Sequence, residues 1–266
     1  MAVMQKTAGA AALKRVAPLF ANWEETLIWS ALEGEMGCFW TLGGAAPKAA
    51  LCENADFLFL AGAADEPETR LLLERWKAER AGQFIILAPK DVQCAGLIEE
   101  VFAGNSKAAQ RIAFHKGGEA FDRERLTAYS RALPQGAVLR RFGKELYDLA
   151  LQEGWSRDFC SQFASAEDYL KRGLGFAALY EDRLIGGASS YTRYSGGIEI
   201  QVETRADWQR RGVALACCAA LILECIDQHL YPSWDAANEA SASLAKKLGY
   251  REAAPYAVWE LYGKGE

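Results

Sequence analysis

Two stretches of the chain carry residue types at spacings that could do chemistry. The first, Gly197-Ile198-Glu199-Ile200-Gln201-Val202-Glu203-Thr204, alternates apolar and polar residues without a break. A two-residue period is that of a strand. Ile198, Ile200 and Val202 then face one side, and Glu199, Gln201 and Glu203 face the other. Glu199 and Glu203 share a face but lie about 13 Å apart along it, too far to act as a tight carboxylate pair. The second stretch, Gln209-Arg210-Arg211-Gly212-Val213-Ala214-Leu215, opens a run of small apolar residues that reaches Ile226. A helix N-terminus leaves backbone N–H groups unpaired and carries partial positive charge, so a strand turning tightly into one makes an anion cradle. Gly212 removes the side chain where a phosphate must approach the backbone. Ala214 keeps the next approach small, and Arg210 and Arg211 add charge at the rim. The plain alternative is an ordinary strand–loop–helix with a surface basic pair.

Other patterns carry less. Gly173-Leu174-Gly175-Phe176-Ala177-Ala178 fits a loose GxGxxA dinucleotide pattern, but it follows a helical segment and opens a strand, the reverse of what that fingerprint requires. Walker-type, HExxH and GxSxG motifs are absent. Cys217 and Cys218 fall on an Ala-rich helix and read as small packing residues.

These stretches need elements to hold them. Upstream lie helical segments at 144–154 and 165–173, then short strands joined by turns at Glu181-Asp182-Arg183 and Ser195-Gly196-Gly197, where glycine would supply positive φ. Downstream come the short segment Tyr231–Asn238, a helix from Glu239 to Gly249, and closing strands over 250–263. The first half reads as α/β: buried strands at 55–63 and 82–89 flank a helix at 65–80, with a second helix ending at Gly104. Leu133-Pro134-Gln135-Gly136 reads as a joint, giving domains 1–135 and 136–266.

Composition narrows the class. With 51 % hydrophobic and 24 % charged residues the chain is globular, not disordered. A net charge of -5 argues against nucleic acid or an anionic membrane as partner. Seven cysteines without a CxxC pair, and only two histidines, make a metal site or disulfide framework unexpected and point to a reducing cytoplasm. The first 20 residues interrupt their apolar run with Lys6, Lys14 and Arg15, unlike a signal peptide, and no apolar run is long enough to span a bilayer.

The segment Val202–Ala214 followed by Trp234–Tyr250 resembles the GNAT superfamily of acetyl-CoA-dependent N-acetyltransferases. Gln209-Arg210-Arg211-Gly212-Val213-Ala214 looks like its pyrophosphate loop, and Asn238, Lys246-Lys247 and Gly249-Tyr250 look like its second block. The resemblance covers roughly 137–263. The longer run from Ala188 to Ser241 is similar to a subgroup related to zwittermicin A resistance acetyltransferase. The resemblance implies a mixed, mainly antiparallel sheet flanked by helices in the C-terminal half, beside an additional α/β N-terminal domain. One further idea makes that N-terminal half a degenerate GNAT-like unit.

The resemblance also implies a site. Acetyl-CoA would be the cosubstrate, with no metal, held by the backbone of Val202 and Thr204, the 209–215 loop and helix start, Asn238 and Ser241. Glu199 and Glu203 would divide the roles of base and holder of the acceptor's positive charge. A free alkyl amine, with a pKa of about 10.4, must lose a proton before it attacks. Partners would be a small-molecule amine, no nucleic acid and no membrane; a homodimer is open to it. One departure stands out: where many members carry a tyrosine that protonates the leaving thiolate, this chain has Ala245. Tyr191, Tyr194, Tyr256 and Asp235 are substitutes by residue type, and His229 reads as a helix-terminal contact. The alternative to a working transferase is therefore a GNAT-like module that binds CoA without turnover.

Overall fold

The computed structural model describes residues 3–7, 9–44, 46–80, 82, 84–117 and 121–262. In chain order the strands and helices are β1 (Gln5–Thr7), α1 (Ala10–Val16), α2 (Thr26–Glu33), β2 (Cys38–Thr41), β3 (Ala50–Asn54), β4 (Phe57–Ala61), α3 (Pro67–Arg80), β5 (Ile85–Pro89), α4 (Ala95–Val101), β6 (Ser106–Phe114), α5 (Arg123–Arg131), β7 (Ala137–Arg141), α6 (Lys144–Ala150), α7 (Ala166–Arg172), β8 (Gly175–Tyr180), β9 (Arg183–Tyr194), β10 (Gly197–Thr204), α8 (Val213–Asp227), β11 (Tyr231–Ser233), β12 (Asp235–Ala236), α9 (Glu239–Leu248) and β13 (Glu252–Leu261). They pack as two compact units, Met1–Arg111 with Pro255–Glu266, and Ile112–Ala254.

In the first unit the strands run in the order β1-β2-β3-β4-β5-β13. β4 and β5 are parallel, with Phe57 beside Ile86 and Leu58 beside Leu87. The strand–helix–strand expected from 55–89 is therefore present. Its helix starts at Pro67, whose fixed φ suits a first turn that also carries Glu68. Of the expected strand 82–89, Gln83 lies outside the described residues. Leu58, Leu60, Leu72, Leu73, Leu87 and Ile98 form the unit's core together with Trp259 and Leu261 of the last strand.

Packing does not divide at the Leu133–Gly136 joint. Leu126 of α5 is fully buried in one core with Cys217, Cys218, Leu221 and Ile222 of α8, so the chain from Ile112 onward belongs to the second unit. From Pro255 onward it belongs to the first. The turn signal at 134–136 marks a loop between α5 and β7, not a domain boundary.

The second unit holds a five-stranded sheet in the order β11-β10-β9-β8-β7. Its neighbours are antiparallel except β10 and β11, which are parallel. With the first unit's sheet this is a mixed, antiparallel-rich fold flanked by helices. α8 covers one face, where Ile198, Ile200 and Ala188 meet Cys217 and Leu221. Burial pushes the Cys217 thiol up to about 12 and the Cys218 thiol well above its usual value, so both act as neutral packing groups. The other face carries α6, α7 and a short turn at Arg157–Phe159. There Ser189 donates to the Phe159 carbonyl at 2.5 Å, and Tyr169 meets Ser189 at 2.7 Å.

Both hairpin turns fall where expected, but neither takes positive φ from glycine. Positive φ at the β8–β9 turn comes from Glu181 and Asp182, at 48° and 59°, the two-residue form whose twist matches the strands. Neither Gly196 nor Gly197 is in the left-handed region. Gly197 is small for another reason: a Cβ there would run into the Tyr231 carbonyl of β11 and the Tyr194 hydroxyl. Gly197→Val should therefore loosen the β10–β11 junction and lower stability by about 1–3 kcal/mol. Urea unfolding checks this, and an unchanged midpoint would contradict the close approach.

Candidate functional site

β10 has a partner on each side for only part of its length. Against β11 it pairs at Gly197, Ile198 and Glu199, with Tyr231, Pro232 and Ser233 opposite. Against β9 it pairs all the way to Thr204. From Ile200 to Thr204, then, one edge of β10 has left β11. Arg205 donates its N–H to the Ile185 carbonyl of β9 at 3.0 Å. Backbone groups alternate sides along a strand, so the N–H and C=O of Thr204 and Val202 point to the open edge. At Thr204 both are held by side chains: the N–H by Glu203 Oε1 at 3.0 Å, and the carbonyl by Gln209 Nε2 at 3.2 Å.

The chain then turns through Ala206–Trp208 into α8. Arg205 and Asp207 pair through two bonds of 2.7 and 2.9 Å, which hold the Asp207 carboxyl below its usual range. Arg210 has φ 61° and Gly212 φ 85°, two left-handed residues within three. Gly212 is the N-cap of α8 and offers no side chain to cap it, so the first-turn N–H groups of Val213, Ala214 and Leu215 have no helical acceptor. Val213 is buried, whereas Ala214 and Leu215 are half-buried. Arg211 lies over the Trp208 ring at 5.0 Å, and Trp208 packs on Tyr180. Arg210 is exposed and makes no ion pair among the described residues. Helix dipole and open N–H groups, with Arg210 and Arg211 in the loop that leads into them, make the head of α8 suited to an anion.

The two glutamates differ. Glu203 is half-buried at the open edge, whereas Glu199 is 4 % exposed. Glu199 sits in a polar row across three strands, with Thr192 of β9 on one side and Ser233 of β11 on the other. Both neighbours are fully buried, and the Thr192 hydroxyl has no hydrogen-bond partner among the described residues. A register shift between Glu199 and Ile200 leaves Tyr191 opposite no residue of β10. Lys116 donates to Ser233 Oγ at 2.7 Å. Sequence reasoning missed Thr192, Ser233 and Lys116. The first is displaced from simple alternation by the bulge, and the last comes from the half to which no site was assigned.

The remaining expected residues are placed as follows. Asn238 caps α9 by accepting the Ser241 N–H at 3.0 Å, and Ser241 Oγ accepts the Trp234 indole N–H at 3.1 Å. Ala245 is fully buried on α9. Tyr194 packs over Gly196 and Gly197, at the end of β10 away from the α8 cradle. Tyr191 is buried on β9 and Asp235 half-buried on β12; Tyr256 is on the stretch of β13 in the first unit. His229 is exposed, just beyond α8. The Tyr250 phenol, pushed well up by burial, donates to the Pro232 carbonyl at 2.5 Å. No group of three or more metal-ligating side chains occurs among the described residues, and no helix there is long and apolar enough to cross a membrane.

The model of the GNAT acetyltransferase family matches residues 17–259. The chain belongs to that family. The GNAT match takes in both units. A GCN5-related N-acetyltransferase-like protein from Streptococcus suis is 39 % identical, with a TM-score of 0.86 over 94 % of this chain and 98 % of its own. The uncharacterized N-acetyltransferase YdfB of Bacillus subtilis is 29 % identical over 136 residues, or 48 % of this chain and 49 % of YdfB. The chain thus spans about half the length of that curated relative. A tandem GNAT protein from the clavulanic acid biosynthesis pathway shares the fold at 12 % identity, with a TM-score of 0.52 over 84 % of this chain and 82 % of its own.

Proposed function

We propose that this GNAT protein is an N-acetyltransferase that moves the acetyl group of acetyl-CoA to a primary amine of a small molecule. The observation that carries the reading is the open edge of β10, which runs from the buried Glu199 to the uncapped head of α8. The residues fit the cofactor. The α8 first turn, Arg210 and Arg211 suit a pyrophosphate, and the outward N–H and C=O groups of Val202 and Thr204 suit an amide-bearing arm. Acetyl-CoA supplies an activated acetyl thioester. The chain's part is to position and to move protons. Backbone N–H groups of the β10 edge stabilise negative charge developing on a carbonyl oxygen. Glu199 takes the proton that the acceptor ammonium must lose, directly or through water. Glu203, nearer the cradle, holds the acceptor's positive charge. Ala245 has no proton to give a departing thiolate, and water serves instead. The acidic polar face and the similarity to the zwittermicin A resistance subgroup favour an antibiotic-like or polyamine-like acceptor.

A second reading, a CoA-binding module without turnover, draws on Ala245. A screen of amines with acetyl-CoA, following free thiol, separates the two. Thiol release that depends on a particular amine supports the transferase. CoA binding with no amine-dependent release supports the module.

A further inference from the structure

We propose that the Glu203 carboxylate is a built-in placeholder on the cofactor edge of β10, a gate that the arm of acetyl-CoA must displace and that weakens cofactor binding. This deepens the reading above and rests on it. The backbone of Thr204 presents one donor and one acceptor where β10 has already parted from β11. Each is occupied by a side chain of complementary type: an acceptor, Glu203 Oε1, on the N–H at 3.0 Å, and a donor, Gln209 Nε2, on the carbonyl at 3.2 Å. A strand, or any ligand arm bearing a secondary amide, would offer that same pair of groups. The two side chains therefore imitate the missing neighbour and leave no backbone group of Thr204 without a partner.

The two contacts differ in the ease of exchange. Gln209 is exposed and closes the turn over Arg205–Trp208 without charge. Glu203 is half-buried and brings a full negative charge to the rim of a cradle suited to anions. A carboxylate makes a stronger bond to an N–H than a neutral acceptor does, so the incoming arm exchanges a charge-assisted bond for a neutral one. Its arrival releases the carboxylate toward the polar face that Glu203 shares with Glu199. Cofactor loading and the freeing of a group that binds an ammonium are then one event.

The test is calorimetric titration of CoA and acetyl-CoA into the full chain as wild type, Glu203→Ala and Glu203→Gln. Alanine removes the competitor, and its affinity should rise about 3–10-fold, the weight of one net hydrogen bond. Glutamine loses the charge but keeps an oxygen that accepts the Thr204 N–H as a neutral competitor, so its affinity should rise by clearly less than that of alanine. Amide exchange at Thr204 in the ligand-free protein should quicken in the alanine variant, a readout that needs no ligand. An alanine variant that binds no more tightly than a binding-competent wild type overturns the placeholder and leaves the cofactor site standing. Equal gains in both variants overturn it too, because charge alone would then explain them. If wild type binds neither ligand, the acetyl-CoA reading itself falls, and the placeholder with it.

Discussion

Gly212→Glu should remove acetyl-CoA binding, by at least about 100-fold, while the protein stays folded. The position combines two constraints. Gly212 has φ 85°, where any other residue is strained by roughly 1–2 kcal/mol, a modest fraction of a domain's stability. A Cβ there would find only the Ala132 carbonyl, at 3.6 Å, an ordinary contact, so the substitution fits without disrupting packing. The new carboxylate would stand at the uncapped head of α8, among the N–H groups of Val213, Ala214 and Leu215, and take the place of the incoming anion. Calorimetry with acetyl-CoA and a thermal melt check the two halves of the expectation separately. Unchanged affinity would remove the loop from the site. Loss of binding with loss of fold would be settled by Gly212→Ala, which keeps the strain and omits the charge and should retain measurable binding.

The second large effect is expected at Glu199. With an acceptor in hand, Glu199→Gln should lower kcat by roughly 10²–10⁴, the usual contribution of a positioned base. Glutamine keeps the size and a hydrogen-bond acceptor but takes no proton. Activity should partly recover as pH rises and more of the amine, with its ordinary pKa of about 10.4, is already neutral. Acetyl-CoA affinity should hold, because the residue lies at the buried end of β10 and the proposed cofactor elements lie at the other. Glu203→Gln should instead raise KM with kcat nearly kept, the mark of a lost binding charge. If both variants keep wild-type kcat and KM across pH, the polar face of β10 does not hold the acceptor, and the proton acceptor must be sought at Asp235 or a tyrosine.

What was legible in the sequence depended on the range of the interactions involved. The alternation of Ile198, Ile200 and Val202 with Glu199, Gln201 and Glu203 is a property of one strand, and the core on α8 is as the period implies. Gly212 at a helix head and Asn238 at the start of α9 are likewise set by a few neighbouring residues. The burial of Glu199 is not local. Its neighbours in the sheet, Thr192 and Ser233, lie on two other strands, brought into register across a bulge and a parallel pairing that no single segment encodes. The division of the chain was misleading for the same reason. Leu133-Pro134-Gln135-Gly136 has the composition of a turn, but domain membership is decided by what α5 and β13 pack against, and those partners are over 80 residues away in sequence. The role of Gly197 also ran against local reasoning: a glycine in a turn suggested positive φ, whereas its smallness answers the approach of the Tyr231 carbonyl.

On the proposed reading, the open edge of β10 and the head of α8 together hold acetyl-CoA. Titrating acetyl-CoA into isotope-labelled protein and following backbone amide resonances tests it most directly. The amides of Val202, Thr204, Val213 and Ala214 should shift together with one saturation curve, while those of the first unit's β3 and β4 stay in place. Saturable binding that leaves the Val202, Thr204, Val213 and Ala214 amides unmoved, or no binding at all, would rule this site out.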